Sequence, residues 1–183
     1  IASRIKVLAN LDVAESRLPQ DGRILLTEVE RQIDLRVSTL PTMYGESIVF
    51  RIHSSQEVAH KIEELGLEPD QLALLKALIK SPSGMILITG PSGSGKTNLI
   101  YSILSHLSSE EKNIVTIEDP VEYQLENIRQ TSVNNELELT FAKAMRSVLR
   151  QDPDIIMLGE IRDGETALLA IQASLSGILL FST

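Results

Sequence analysis

Gly90-Pro91-Ser92-Gly93-Ser94-Gly95-Lys96-Thr97 is the stretch that decides the fold. It satisfies G-x-x-x-x-G-K-[S/T] at every defined position. A continuous apolar run, Met85-Ile86-Leu87-Ile88-Thr89, stands immediately before it and has the character of a strand buried on both faces. Residues 98–107 follow with helical spacing. Strand, glycine-rich loop and helix in that order make a phosphate cradle. The glycines let the backbone turn its N–H groups onto phosphate oxygens, and the helix N-terminus adds a favourable dipole. On this reading Lys96 reaches the β- and γ-phosphates and Thr97 ligates Mg²⁺. Gly90, Pro91, Ser92, Gly93, Ser94, Gly95, Lys96, Thr97 and the adjoining Asn98 are the expected nucleotide-binding residues, with ATP and Mg²⁺ as ligands. The alternative is a glycine-rich turn with a chance Lys-Thr, and three glycines in register between strand and helix count against it.

Beyond the loop the pattern alternates. Residues 113–117 form a second apolar strand, 141–150 a helix, 155–158 a third buried strand, 165–175 a helix, and 178–181 the start of a fourth strand. Alternating strands and helices imply a parallel α/β sheet. Before the loop, residues 1–14 mix apolar and basic positions at helical spacing, and Pro19-Gln20-Asp21-Gly22 reads as a turn. Residues 23–29 and 32–38 read as a half-buried strand pair, with Ile33, Leu35 and Val37 alternating against Asp34 and Arg36. Residues 41–45 break the chain, and 47–52 return to strand. A connector follows, with a short helix at 58–65, and then a helix over 69–79 that has Pro69 at its first position. The expected organisation is the later part of a small α+β domain over 1–53, a linker over 54–68, and the first part of a P-loop domain over 69–183. The chain opens on Ile1 and closes on the apolar run Ile178-Leu179-Leu180-Phe181-Ser182-Thr183, so it reads as a piece of a longer protein.

Two acidic segments follow buried strands. Asp152-Pro153-Asp154-Ile155-Ile156-Met157-Leu158-Gly159-Glu160 delivers Glu160 at the C-terminal end of a strand, the end where ligands sit in open α/β sheets. A carboxylate there can organise Mg²⁺ or its waters. Ile117-Glu118-Asp119-Pro120-Val121-Glu122-Tyr123 clusters three carboxylates, one of which can polarise an attacking water. The choice among Glu118, Asp119 and Glu122 stays open at this level. His53, His60 and His106 show no metal-ligand spacing and read as surface residues. Arg146, Arg150 and Arg162 read as surface charges or subunit contacts.

Composition narrows the classes further. The 183 residues are 43% hydrophobic and 23% charged, as in an ordinary globular protein. A net charge of −8, with only 3% aromatics and no Trp, opposes a large phosphate-backbone interaction or base stacking, so no nucleic-acid partner is expected. The absence of cysteine removes disulfides and Cys-based metal sites. No apolar run reaches the roughly 18 residues a membrane span needs.

With these segments in place the sequence resembles the motor ATPases of type II secretion and type IV pilus assembly. The resemblance rests on Arg17-Leu18-Pro19-Gln20-Asp21-Gly22-Arg23 and on Arg36-Val37-Ser38-Thr39-Leu40-Pro41 with Gly45-Glu46. It rests equally on 114–123, which looks like the family's aspartate box, and on Gly159-Glu160-Ile161-Arg162-Asp163 with Glu165-Thr166-Ala167, which looks like its Walker B region. The resemblance implies a cytoplasmic ATPase at the inner membrane, acting as a hexamer with platform and adaptor proteins. It implies a RecA-like domain, a nucleotide between two domains, and phosphate contacts from Arg36 and Arg51, which the residues alone would not single out. The expected catalytic set is Glu118, Glu122, Glu160 and Lys96, with Thr97 and Glu160 toward Mg²⁺. Asn98 stands where the family usually has Thr, and Ile178 where it usually has His. These departures leave open a nucleotide-binding structural subunit without turnover, and a related retraction or conjugation motor is a further alternative.

Overall fold

The computed structural model describes residues 1–28, 31–54, 61–134 and 137–183. The chain divides into two compact units, Ile1–Val58 and Ala59–Thr183.

In the first unit, α1 (Ala2–Leu8) precedes an antiparallel sheet of β1 (Gln20–Glu28), β2 (Arg31–Thr42) and β3 (Gly45–Ser54), in the order β1-β2-β3. Its core is Ala9, Ile24 and Val37, with Ile5, Leu11, Leu35 and Ile48 packed around them. Lys6 is buried among these elements, ion-paired to Glu46 and donating to the Glu15 carbonyl at 2.7 Å. The helix is only half the length the spacing predicts. Asn10 takes a left-handed φ of 56°, which asparagine tolerates, and the Leu11 amide turns back to the Lys6 carbonyl at 2.8 Å. The Asp12 carboxylate then accepts from the Ala14 amide at 2.8 Å, closing an Asx turn. Strand β1 begins at Gln20, inside the stretch expected to be a turn. A Cβ on Gly22 would lie 2.5 Å from the Ala9 carbonyl oxygen, so only glycine lets the strand run this close to the end of α1. Strand β2 continues through Pro41 and Thr42, and the reversal falls on Met43-Tyr44, where the Thr42 hydroxyl donates to the Gly45 carbonyl at 2.6 Å. The short helix expected over 58–65 lies partly outside the described residues. Its described part is a 3-10 turn, Ile62–Glu64.

The second unit continues from that turn through α2 (Pro69–Leu78), β4 (Gly84–Leu87), α3 (Lys96–Leu107), β5 (Ile114–Glu118) and β6 (Arg129–Ser132). It ends with α4 (Phe141–Val148), β7 (Ile155–Leu158), α5 (Gly164–Leu175) and β8 (Leu179–Ser182). The five strands form a parallel sheet in the order β4-β8-β7-β5-β6. Side chains alternate across it, as strand geometry requires. Ile114, Ile155, Met157, Leu179 and Phe181 face one way and meet Ile100, Ile103 and Leu104 of α3. Val115, Ile117, Ile156, Leu158 and Leu180 face the other way and meet Ala144, Met145 and Val148 of α4 and Ala170 and Ala173 of α5. Helices therefore cover both faces, which is why the inner strands read as unbroken apolar runs.

Two strands depart from expectation. β4 is not buried on both faces. It is an outer strand of the described sheet, paired with β8, and Leu87 is 55% exposed. β6, on the opposite edge, has the sequence Arg129-Gln130-Thr131-Ser132 and no apolar signature, so pattern reading passes over it. Among the described residues no helix is long and apolar enough to cross a membrane.

α5 begins with a side-chain cap. Asp163 accepts from the Thr166 amide at 2.7 Å and from its hydroxyl at 3.0 Å. Asp163→Ala is expected to destabilise the protein by about 1 kcal/mol, read as a lowered midpoint in denaturant unfolding. An unchanged midpoint would show that the cap contributes nothing.

Candidate active site

In a parallel sheet all C-terminal strand ends share one edge, and here that edge carries the glycine-rich loop, Glu118, Glu160 and Thr183. The loop 90–97 leaves β4 and enters α3 at Lys96. Gly93 (φ 74°) and Gly95 (φ 86°) both take the left-handed conformation, which turns successive amides toward the same side. Among the described residues no side chain caps α3 at Gly95, in contrast to α4, capped by Thr140, and α5, capped by Asp163. The first amides of α3 are thus presented at the start of the helix, where its dipole favours an anion. The Lys96 ammonium folds over the loop and donates to the carbonyls of Gly90 (3.0 Å) and Pro91 (2.9 Å). Thr97 is half-buried and Asn98 exposed.

The three carboxylates after β5 do not form one exposed cluster. Glu118 is the last residue of the strand and is 3% exposed, while Asp119 and Glu122 are exposed. The alternation that turns Ile114 toward α3 turns Thr116 and Glu118 the same way. Glu118 consequently meets donors from three elements. The Tyr101 hydroxyl of α3 donates to Oε2, and on Oε1 the Thr116 hydroxyl donates at 2.5 Å and the Gln130 amide of β6 at 3.4 Å. Burial is the largest influence on this carboxyl and raises its pKa, against the lowering effect of the three hydrogen bonds. Burial, and then the bond to Glu118, likewise hold the Tyr101 phenol well above its ordinary value. Tyr101 is therefore a neutral donor. Sequence reading had no pattern by which to find Tyr101 or Gln130. Only the facing of α3 and the register Thr116↔Gln130 reveal them.

Glu160 is half-buried just beyond β7 and ion-paired to Arg162 at 2.7 Å. Its backbone is held from two sides. The Ser182 hydroxyl donates to the Leu158 carbonyl at 2.7 Å, and the Thr183 hydroxyl to the Gly159 carbonyl at 2.9 Å. On the other side the Gly159 amide donates to the Ile117 carbonyl at 2.8 Å, and a Cβ at Gly159 would stand 3.4 Å from the Glu118 Cα. The two acidic segments are thus in contact through their backbones. Among the described residues no group of three or more His, Asp or Glu side chains could hold a metal by itself. A Mg²⁺ bound largely through phosphate and water needs only one or two protein oxygens, and Thr97 and Glu160 suit that demand.

Arg36 and Arg51 lie in the first unit and are direct cross-strand partners on β2 and β3. Arg23 of β1 pairs with Arg36 in the same row, an addition the sequence offered only as part of a longer signature. The three arginines thus stand in one cross-strand row of the sheet. Of the other basic residues, Arg146 pairs with Glu165, and Arg150 donates to the Arg146 carbonyl at 2.7 Å. His106 is exposed; the side chains of His53 and His60 lie outside the described residues.

Fold and loop together define a P-loop protein with a RecA-like α/β sheet. The whole chain, residues 1–183, matches the family described as Type II/IV secretion system protein, and the chain belongs to that family. It is 54% identical over 183 residues to type II secretion system protein E of Pectobacterium carotovorum subsp. carotovorum, covering all of this chain and 37% of that protein. It is also 54% identical to type II secretion system protein HxcR of Pseudomonas aeruginosa, covering 39% of it. The chain thus spans little more than a third of the length of these relatives. Among solved structures, the pilus retraction motor PilT with bound ADP superposes with a TM-score of 0.74 at 31% identity, over 91% of this chain and 47% of that one. The Legionella pneumophila ATPase DotB gives 0.73 at 26% identity over the same shares.

The raised pKa of Glu118 has a signed consequence. The stability it contributes is fully present below the ordinary glutamate range and is lost as pH rises through the raised value. Glu118→Gln, neutral throughout, escapes that loss. In denaturant unfolding, the stability of Glu118→Gln relative to the parent should rise as pH climbs above the ordinary glutamate range. A constant difference would mean that Glu118 titrates as it does when unfolded.

Proposed function

We propose that this chain is the nucleotide-handling part of a motor subunit that hydrolyses ATP to drive type II secretion or type IV pilus assembly. The observation that carries the reading is the carboxyl of Glu118, buried and joined through Tyr101 to the same helix that starts at the phosphate loop. Tyr101 follows Lys96 by five residues, about 7.5 Å along the helix. That shared helix, with the shared C-terminal end of the sheet, is what supports assigning loop and carboxyl to one site.

Each residue type has a task there. The amides at 93–97 and Lys96 neutralise phosphate charge as it builds on the transferring group. Thr97 and Glu160 would hold Mg²⁺, which supplies further charge neutralisation when bound. Water attacks the γ-phosphorus, the bond from that phosphorus to the bridging oxygen breaks, and a water proton passes to a carboxylate. Glu118 is favoured over Asp119 and Glu122 for this step, because burial has raised its basicity. A carboxylate has about four lone-pair sites. Three described donors occupy sites on Glu118, which leaves one on Oε2. By resemblance to the family, Arg36 and Arg51 of the part spanning 1–53 are assigned to phosphate binding, with 54–68 as the linker and 69–183 as the RecA-like part.

Family membership and the 54% identity to two type II secretion proteins support a secretion or pilus motor, with a retraction or conjugation motor of the same family as the alternative. On this reading the working protein is a homo-oligomer, a hexamer, that acts in the cytoplasm against inner-membrane platform and adaptor proteins.

In the full-length protein, Lys96→Ala should lower ATP turnover by about 100-fold or more. Arg36→Ala and Arg51→Ala should each lower it by at least about tenfold. Phosphate release assays read both effects. Turnover unchanged by Lys96→Ala would refute the reading, and ATP that is bound without phosphate release would favour a structural subunit.

A further inference from the structure

Tyr101 does more than fill space. Its ring is fully buried in the α3 layer and meets Tyr123 edge-on, with centroids 4.7 Å apart. Ring packing alone would be satisfied by phenylalanine. The hydroxyl, however, sits at a junction. It donates to Glu118 Oε2, accepts from the Glu122 amide at 3.3 Å, and lies 3.5 Å from the Gln130 side-chain nitrogen. Gln130 in turn donates to the Tyr123 carbonyl at 3.1 Å and accepts from the Leu125 amide at 2.7 Å. One hydroxyl on the phosphate-loop helix thus touches both ends of the acidic segment 118–122, and β6 closes the network behind it.

We infer that Tyr101 is a positioning residue, whose hydroxyl fixes the acidic segment to the phosphate-loop helix so that Glu118 is held in place for the attacking water. A buried tyrosine usually finds some hydrogen-bond partner, so a partner by itself assigns no role. The distinguishing feature is that its two bonds in the acidic segment join a reacting side chain and the loop backbone that follows it. Losing the hydroxyl would leave the loop 90–97 intact but remove the bond to Glu118 Oε2 and the tie to the Glu122 amide, so that Thr116 and Gln130, both on Oε1, are left to orient the carboxyl. The cost falls on turnover and spares nucleotide binding.

This inference rests on the ATPase reading above, and its test separates the two. Tyr101→Phe in the full-length protein should lower kcat by about tenfold or more, with KM for ATP and affinity for ADP held within about twofold. Added to Glu118→Gln, it should lower kcat no further, because both remove the same positioned carboxylate. Ile103→Val trims a buried side chain of the same helix. It should lower the melting midpoint without lowering kcat. Full-rate turnover by Tyr101→Phe, an additive double variant, or an equal loss of kcat in Ile103→Val would each overturn the inference. Should Tyr101→Phe fail to fold, Gln130→Leu removes a donor facing both Tyr101 and Glu118. It should lower kcat with KM kept, and an unchanged kcat would likewise overturn the inference. Loss of turnover in Lys96→Ala alongside a silent Tyr101→Phe sinks only the positioning role. Silence in Lys96→Ala sinks the ATPase reading itself.

Discussion

The carboxyl of Glu118 at the edge of a parallel sheet must be met by hydrogen-bond donors, because a charged or polar group out of water is otherwise costly. That constraint organises the second unit. Tyr101 comes from α3, Thr116 from the strand itself and Gln130 from the neighbouring edge strand. Meeting it ties the helix that opens at the phosphate loop to the segment carrying the acidic residues. The apolar layer of Ile100, Ile103 and Leu104 then packs α3 against Ile114, Ile155 and Phe181.

The site follows from where parallel strands end. Strand β4 delivers the glycine loop, β5 delivers Glu118, β7 delivers Glu160, and β8 lies between β4 and β7 with Ser182 and Thr183 bonding the β7 backbone. Gly159 lets that backbone approach Glu118 closely enough for the two acidic segments to touch. Groups far apart in sequence thereby share one edge, and α3 is bonded to it at Glu118 through Tyr101. Such coupling suits a protein whose relatives include secretion and pilus motors.

Much of this was legible in the residues. The loop 90–97 combines a local pattern with local geometry, so its reading needed no tertiary information. Strand β7 and helix α5 were equally readable, since a buried apolar run and a helical stretch after it are local signals. The illegible parts are those whose burial depends on distant partners. β6 is polar because it is an edge strand, and its place is set by pairing with β5. Glu118 reads like Asp119 and Glu122 in sequence, and only the period of two along β5 turns it inward. Lys6 sits in a helical pattern as any surface lysine would, yet Glu46 and the Glu15 carbonyl draw it inside. Arg36 and Arg51 were named through family resemblance, and their alignment with Arg23 emerged only from strand register.

The central claim is that loop and buried carboxyl form one site for a nucleoside triphosphate. The most direct test is a structure of the full-length protein with Mg²⁺ and a non-hydrolysable ATP analogue. The β- and γ-phosphates are expected on the amides of 93–97, with Lys96 moved from the Gly90 and Pro91 carbonyls onto phosphate oxygens. Glu118 is expected to keep its bond to Tyr101. A nucleotide bound elsewhere, or phosphates on the loop with Lys96 still on those carbonyls, would contradict it.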